Sequence, residues 1–352
     1  MRALARFLPQ LAARVPWVEL GTWPTPLTSI DVLGRPVWVK HEGDSHAVYG
    51  GNKLRTLEAW FGHARARGAK RIWAIGAYGS NHAIATILHA KTAGLEGAAL
   101  LFPQPPSAWA IENCGAMIAT GAPLVRLRSV VQVPFRGYDI ARRERDAVVM
   151  PPGGATPIGT FGALEAAFEL AAQISAGLAP PPVRIVLPIG SACTTAGLLA
   201  GLSLAHAIGA WPWPLPIVHG VRVTPWPVTS RVRIANLARA TLARVAQLGG
   251  PVIDVGLRAL YARLVVDGRE LGAGYGHETP RGKRAILTIG TPRLDGVYAA
   301  KAAAAMMRLH RDGIGPLLFW ATKATRELAA PSPDALRTAD AALVRWVTST
   351  VP

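Results

Sequence analysis

The feature that most constrains the fold is a regular alternation of strand-length and helix-length segments along the chain. A first set of apolar strand candidates comprises 71–77, 97–102, 124–128 and 147–150, and a second comprises 183–188, 218–224 and 317–321. Helix-length segments separate these strands, and strands that alternate with helices form parallel sheets covered by helices. The sequence therefore predicts an α/β fold, and a length of 352 residues suits about two domains.

The composition excludes several classes of protein. The formal net charge is +17, but the 31 arginines and 7 lysines are spread along the chain without a nucleic-acid-binding motif. We therefore interpret most of the charge as solvated helix faces and expect no nucleic-acid partner. No apolar run approaches the roughly 20 residues of a membrane-spanning helix, and segment 1–15 predicts a short amphipathic helix rather than a signal peptide. Cys114 and Cys193 are too few for a disulfide framework and lack metal-ligand spacing, so we expect no metal and a reducing, cytoplasmic setting.

A lysine stands at a defined position between a strand and a helix. The segment Gly50-Gly51-Asn52-Lys53 follows a strand candidate at 37–41 and opens a helix predicted over 54–67. The positive end of a helix dipole disfavours an ammonium ion, so Lys53 is placed to be a nucleophilic amine that can form a Schiff base. A tight turn followed by a solvated lysine would give the same pattern, and this stretch alone leaves both interpretations open.

Two further loops join an apolar strand to a helix and carry polar side chains. The loop at 76–82 places Ser80, Asn81 and His82 at a helix start, where free backbone N–H groups suit a carboxylate. The loop at 190–197 brings backbone amides and three hydroxyls to another helix start, which suits a phosphate. Each loop taken alone also fits an ordinary helix cap, and the second is not a Walker loop because no Gly-Lys-Ser/Thr follows.

The order of these elements is more specific than any one of them. It resembles the pyridoxal-phosphate enzymes of the tryptophan-synthase-β fold, fold type II, and within them the D-cysteine desulfhydrase and 1-aminocyclopropane-1-carboxylate deaminase family. The matching motifs, in family order, are PTPL at 24–27, KHEGD at 40–44, GGNK at 50–53, GSNH at 79–82, PGGA at 152–155, the loop 190–197, GYG at 274–276, VYAAK at 297–301 and FWAT at 319–322.

The resemblance implies which residues bind the cofactor, pyridoxal 5'-phosphate. Lys53, with Asn52 beside it, corresponds to the Schiff-base lysine. Asn81 corresponds to the residue that hydrogen-bonds the phenolic oxygen of the cofactor, and Thr322 to the hydroxyl that faces its pyridine nitrogen. The phosphate cup corresponds to Gly190, Ser191, Ala192, Cys193, Thr194 and Thr195.

The resemblance also implies a substrate site and an organisation of the chain. Ser80, Asn81 and His82 correspond to the grip on the substrate carboxylate, and Tyr275 and Tyr298 to a pair of active-site tyrosines. The implied catalytic residues are Lys53, Ser80, Tyr275 and Tyr298. A large domain of residues 1–54 and 164–352 would hold the cofactor, an inserted small domain of residues 55–163 would close over a small amino-acid substrate, and the protein would be a homodimer.

The expected activity is that of a pyridoxal-phosphate-dependent carbon–sulfur lyase. Lys53 would remove the α-proton, and a leaving group on the β-carbon would then be eliminated. A hydroxyl such as Thr322 opposite the ring nitrogen leaves that nitrogen largely unprotonated, which favours elimination over racemisation. We therefore expect α,β-elimination on D-cysteine or a related β-substituted amino acid, giving pyruvate, ammonia and hydrogen sulfide or a thiol.

Several residues depart from the family pattern. The deaminases carry a glutamate where this chain has Ala299, which counts against cyclopropane opening. Gly79 stands where a glutamine is usual, so we expect the substrate side to lack a polar wall there. Ala192 and Cys193 replace two glycines in the phosphate cup, and Lys323 replaces a glycine. These departures keep three alternatives open: a β-replacement synthase or other amino-acid lyase, an aminocyclopropane carboxylate deaminase, and a catalytically silent binding or regulatory homologue.

Overall fold

Two sheets organise the fold of this computed structural model, which describes residues 2–349. The larger sheet has the order β1-β2-β10-β7-β8-β9 and the smaller has the order β5-β4-β3-β6. The strands of the larger sheet are β1 (Leu27–Val32), β2 (Arg35–His41), β7 (Arg184–Ile189), β8 (Ile217–Arg222), β9 (Leu264–Asp267) and β10 (Leu317–Ala321). Those of the smaller sheet are β3 (Arg71–Ala77), β4 (Glu96–Phe102), β5 (Leu124–Arg126) and β6 (Ala147–Val149). All pairs are parallel except the β1–β2 hairpin, so the predicted α/β fold is confirmed.

Helices cover both sheets. They are α1 (Ala3–Phe7), α2 (Pro9–Arg14), α3 (Asn52–Ala66), α4 (Asn81–Ala90), α5 (Ala108–Ala119), α6 (Val133–Arg143), α7 (Phe161–Ser175), α8 (Cys193–Ala207), α9 (Arg231–Gln247), α10 (Leu257–Ala262), α11 (Pro280–Ile289), α12 (Ala299–Arg311), α13 (Pro333–Thr338) and α14 (Ala341–Val347). The single helix predicted over 1–15 is two short helices, because Pro9 begins a new one. Within residues 2–349, no helix has the length and apolar character needed to span a bilayer.

Each sheet has its own apolar core. The side chains of α7 and α8 pack with Ile185 and Leu187 of the larger sheet, whereas α4 packs with Ile72 and Leu101 of the smaller sheet. The smaller sheet lies wholly within the predicted insert 55–163. The C-terminal helix α14, however, buries Leu343 in the core of the smaller sheet. The predicted domain boundaries remain a prediction, and Met1 and residues 350–352 lie outside the described part.

A buried ion network joins β2, α3 and α7. The guanidinium of Arg55, 2% exposed, donates to Glu42 at 2.6 Å, to Glu165 at 3.0 Å and to Glu169 at 3.0 Å. Lys40 also pairs with Glu169 and is fully buried. These two cations are exceptions to the interpretation of most of the charge as solvated helix faces. We call Lys40, Glu42, Arg55, Glu165 and Glu169 the Arg55 cluster.

Candidate active site

A cavity of about 610 Å³ lies where the carboxyl ends of parallel strands from both sheets meet. Its walls include the ends of β3 and β4 and the residues that follow β7 and β10. Ligands of parallel α/β sheets bind at this edge. Every residue predicted to bind cofactor or substrate lines the cavity: Asn52, Lys53, Ser80, Asn81, His82, Gly190, Ser191, Ala192, Cys193, Thr194, Thr195, Tyr275, Tyr298 and Thr322.

Lys53 lies in the first turn of α3, as the sequence predicts. The turn before it requires a glycine, since Gly51 has φ +103° and a β-carbon there would lie 2.8 Å from the carbonyl oxygen of Thr322. The N–H of Asn52 donates to that same carbonyl at 3.2 Å. Burial lowers the pKa of the Lys53 amine, and the nearby Cys193 thiol offsets this only in part. The amine is therefore placed and tuned to act as a nucleophile or base.

The loop before α8 forms a cup suited to an anion. Ala192 caps the helix with φ +73°, and the first residues of α8 line the cavity, where the free N–H groups of a helix start suit an anion. Asn52 Nδ2 donates to Thr194 Oγ1 at 2.8 Å. The hydroxyl of Thr195 is buried and has no partner among the described residues. A phosphate bound in this cup would supply the missing acceptor.

Gly153 and Cys193 make contacts at the cup that the sequence does not reveal. A β-carbon at Gly153 would lie 2.3 Å from Ser191 Oγ and 3.6 Å from Lys53 Nζ, so the close approach of this loop to Ser191 requires glycine. The Cys193 thiol contacts Thr56 Oγ1 at 3.7 Å, and burial raises its pKa. Cys193 therefore packs its side chain against α3, while its backbone begins the helix at the cup.

The opposite wall carries the predicted carboxylate site. Ser80 caps α4 by accepting a hydrogen bond from the N–H of Ala83 at 3.2 Å. His82 is buried, and neither ring nitrogen has a partner in the described part of the chain. Burial, reinforced by Lys53, holds the pKa of His82 well below its usual value, so the ring is neutral with one nitrogen able to donate.

A side chain at position 79 would not face the substrate side of the cavity, contrary to what the sequence suggests. A β-carbon at Gly79 would lie 2.3 Å from the Ala110 β-carbon on α5, so it would point into the helix packing rather than into the cavity. The expectation that glycine here removes a polar wall from the substrate side is therefore wrong for this backbone. The glycine instead permits close approach of α5.

Two tyrosines and a threonine complete the cavity. The hydroxyls of Tyr275 and Tyr298 are 2.7 Å apart, and their rings meet edge to face. Burial raises the pKa of both, so both hydroxyls stay protonated: one donates to the other, and the second keeps its proton for a ligand. Thr322 follows β10 at the cavity wall, and among residues 2–349 no acidic side chain lines the cavity. Ala299 is buried at the start of α12 and does not reach it.

Sequence reasoning missed two arginines at the site. Arg233 on α9 donates to the carbonyl oxygens of Ser191 at 2.8 Å and Val228 at 2.9 Å, which braces the cup from behind. Arg128 follows β5 and lines the cavity mouth. Because the carboxyl ends of parallel strands share one edge, its position just after a strand was a usable signal. No local pattern marks Arg233.

Comparison with known proteins decides the family. The sequence profile described as "Pyridoxal-phosphate dependent enzyme" matches residues 18–313. The chain belongs to this family. The enzyme is 36% identical over 325 residues to nocardicin C-9' epimerase of Nocardia uniformis subsp. tsuyamanensis, covering 89% of this chain and 94% of that relative. It is 30% identical over 356 residues to D-cysteine desulfhydrase of Salmonella paratyphi C, covering 91% and 97% respectively.

A solved structure supports the same family. The crystal structure of an ACC deaminase homologue matches the pyridoxal-phosphate enzyme with a TM-score of 0.73 at 29% identity, covering 92% of this chain and 94% of that one. The predicted resemblance, the fold type II architecture and the cofactor are thus confirmed. The unpartnered Thr195 hydroxyl and the buried amine of Lys53, which line the same cavity, fit pyridoxal phosphate. The roles of individual residues stay predictions.

Proposed function

We propose that the enzyme catalyses α,β-elimination on D-cysteine or a related β-substituted amino acid, releasing pyruvate, ammonia and a thiol or hydrogen sulfide. One observation carries the proposal: the Lys53 amine and the Tyr275–Tyr298 hydroxyl pair line one cavity that no described acidic side chain lines. A base and a proton donor are what this elimination requires, and with no carboxylate at the site the pyridine nitrogen of a bound cofactor would stay largely unprotonated.

Bound pyridoxal phosphate supplies the electron sink for the charge left on the α-carbon. The phosphate would lie in the cup at 190–195, the phenolic oxygen near Asn81 and the pyridine nitrogen near Thr322. Lys53 takes the α-proton, since burial lowers the pKa of its amine. Because Thr322 offers a hydroxyl rather than a carboxylate, the ring nitrogen stays largely unprotonated and the sink is moderate.

Tyr275 or Tyr298 donates a hydrogen bond to the departing thiolate and passes a proton to it, and the tyrosine regains that proton from water. As the α-proton moves to Lys53, the Cβ–S bond breaks with its electrons on sulfur, and the unsaturated amine released hydrolyses in water to pyruvate and ammonia. A thiol has a pKa of about 8.5 and leaves readily. A cyclopropane carbon is a far poorer leaving group and needs a stronger sink, so we expect no deamination of aminocyclopropane carboxylate.

A second candidate is epimerisation at the α-carbon of a larger amino-acid derivative. Two observations favour it: the 36% identity to nocardicin C-9' epimerase, and a cavity mouth lined by the apolar side chains of Phe102, Val130 and Val228. Proton removal by Lys53 is common to both reactions. In elimination a β-substituent departs. In epimerisation a proton returns to the opposite face of the α-carbon, and Ser80 would supply that proton.

A substrate panel separates the two candidates. Holoenzyme is incubated in deuterium oxide with D-cysteine, L-cysteine, β-chloro-D-alanine and aminocyclopropane carboxylate, and pyruvate and the enantiomers that remain are measured. The proposed function predicts pyruvate from D-cysteine or β-chloro-D-alanine and none from the cyclopropane substrate, with Ala299→Glu assayed beside the parent. Deuterated, inverted amino acid without pyruvate would favour epimerisation. Faster turnover of the cyclopropane substrate by the parent would overturn the proposal.

From the family resemblance we further propose a cytoplasmic homodimer and the domain division at 54/55 and 163/164. Size-exclusion chromatography with light scattering measures the oligomeric state, and a mass of one chain, 37.2 kDa, would refute the dimer. Limited proteolysis near the two boundaries tests the domain division.

A further inference from the structure

We propose that Lys323 is a positioning residue, which holds the Asn81 side-chain amide with its oxygen toward the protein and its nitrogen toward the cavity. The proposal rests on the proposed contact between Asn81 and the cofactor, but not on which reaction follows. Lys323 is one of the departures from the family pattern, and the proposed reaction leaves it without a role.

Three donors converge on one oxygen of Asn81. Its Oδ1 accepts from Asn113 Nδ2 at 2.8 Å, from Tyr49 Oη at 2.9 Å and from Lys323 Nζ at 3.3 Å. An asparagine amide can present either its oxygen or its nitrogen to such a group of neighbours. The choice depends on whether any neighbour is restricted to one role.

Two neighbours are restricted in this way. A lysine ammonium has three donors and no acceptor, so the Asn81 atom that faces Lys323 is the oxygen. Asn113 gives the same answer independently, because its Nδ2 also donates to the carbonyl of Gly79 at 2.9 Å, and a carbonyl only accepts. A tyrosine hydroxyl can donate or accept, so Tyr49 follows the orientation that the other two impose.

The side chain of Lys323 is buried beside two aromatic rings. It is 4% exposed, and Nζ lies 5.4 Å from the ring centroids of both Tyr49 and Trp109, within cation–π range. Burial lowers the pKa of its amine, against the attraction of Asp295 and Glu112, while Arg293 adds repulsion. Lys323 follows β10 and Asn81 begins α4. The contact therefore links the larger sheet to the cavity wall that carries the predicted carboxylate site.

The orientation of the amide determines which atom Asn81 presents to the cavity. Asn81 lines it, and its Nδ2 donates to no acceptor in residues 2–349. That group is therefore free to donate to an anionic oxygen of the bound cofactor. Without Lys323, Asn113 alone still restricts the amide to this orientation, so the amide turns its oxygen more readily toward that anion, where two acceptors would repel each other.

The test measures cofactor affinity and needs no substrate. Apoenzyme of the parent, Lys323→Met and the exposed control Lys70→Met is titrated with pyridoxal phosphate, and the absorbance of each holoenzyme is followed against pH. We expect Lys323→Met to bind pyridoxal phosphate about tenfold more weakly, which is equivalent to about 1.4 kcal/mol, because one of the two contacts that fix the amide orientation is lost. Its absorbance titration should also shift, while Lys70→Met matches the parent.

A double-mutant cycle tests whether Lys323 acts through Asn81. Once Asn81 is alanine, Lys323→Met should weaken cofactor binding no further. Tyr49→Phe keeps the ring and removes one donor, so it should weaken binding by a smaller factor, and it replaces Lys323→Met if that variant does not fold. Unchanged affinity and titration, with only a lower apoenzyme melting temperature, would overturn the proposal. Holoenzyme that shows the cycle but releases no pyruvate would refute the elimination alone.

Discussion

The Arg55 cluster and the cavity both hold buried polar side chains, but they differ in how those side chains are paired. In the cluster, the Arg55 guanidinium has three carboxylate partners. In the cavity, both ring nitrogens of His82 and the hydroxyl of Thr195 have none among the described residues. A buried polar group without a partner costs about 1–3 kcal/mol. In these two regions, the paired groups of the cluster therefore stabilise the fold, and the unpaired His82 and Thr195 line the cavity where a bound ligand could pair with them.

The two regions lie on one helix. Lys53 and Arg55 are two residues apart in α3. The ion pair between Arg55 and Glu165 holds α3 against α7, and the first turn of α3 presents Lys53 to the cavity. The Arg55 cluster therefore lies directly beside the cavity that holds the unpaired polar groups. Substitutions in the two regions should separate cleanly into losses of activity and losses of stability.

The largest effect is expected at Lys53. Lys53→Ala should lower kcat by at least 10²–10⁴-fold, the range typical for loss of a positioned general base, while the apoenzyme stays folded. Steady-state kinetics and far-UV circular dichroism measure the two properties, with Lys70→Ala as the control. Activity above about 1% of the parent would assign the base to another residue.

The next effect is expected at Arg55. Arg55→Met leaves the three carboxylates without their shared cation and should lower the free energy of unfolding by about 3–5 kcal/mol, the range for breaking a buried pair. Arg65→Met is a matched control on the exposed side of the same helix and should change it by less than about 0.5 kcal/mol. Urea denaturation measures both. If both variants lowered the free energy of unfolding by the same small amount, the Arg55 cluster would not be what holds α3 in place.

The cluster also predicts how stability depends on pH. Burial alone would raise the pKa of Glu169, but Arg55 and Lys40 lower it to about 2, so its contribution is lost as the pH falls from about 4.5 through 2. Burial raises the pKa of Glu165 to about 7, so its contribution is lost as the pH rises from about 4.5 through 7. Thermal unfolding at a series of pH values measures both slopes. Glu165→Gln should abolish the decline above pH 4.5 and leave the acid decline in place.

The smallest effect is expected at Ala192. Its φ of +73° costs a non-glycine residue roughly 1 kcal/mol, but glycine gains flexibility in the unfolded chain that costs about 0.4–1 kcal/mol. Ala192→Gly should therefore change the unfolding free energy by less than about 0.5 kcal/mol, measured by urea denaturation. A loss above about 1 kcal/mol would show that the alanine side chain packs in the cup.

The sequence predicted the elements that local patterns specify. The strand at Arg71–Ala77 matches to the residue, and the Gly-Gly-Asn-Lys turn places Lys53 where the structure has it. The hairpin strand β1 was missed because four of its six residues are exposed or half-buried, so no apolar run marks it. The helix α6 was missed for a similar reason, since none of its side chains is fully buried.

The contacts that orient the site could not be read from the sequence. Tyr49 and Asn113 each lie 32 residues from Asn81 along the chain, and Lys323 lies 242 residues away. No periodicity or motif connects such residues, because the fold alone brings them together. The position of Gly79 against α5 is another tertiary contact of this kind.

The most direct test of the cofactor site is to reduce the holoenzyme with borohydride and map the labelled peptide by mass spectrometry. We predict one pyridoxyl group per chain, attached to Lys53. The alternative lysines are distinguishable, because Lys40 belongs to the Arg55 cluster, Lys301 donates to the carbonyls of Leu271 and Gly274, and Lys323 contacts Asn81. Label on Lys53 alone would support the assignment of the cavity, and label on any of the other three would contradict it.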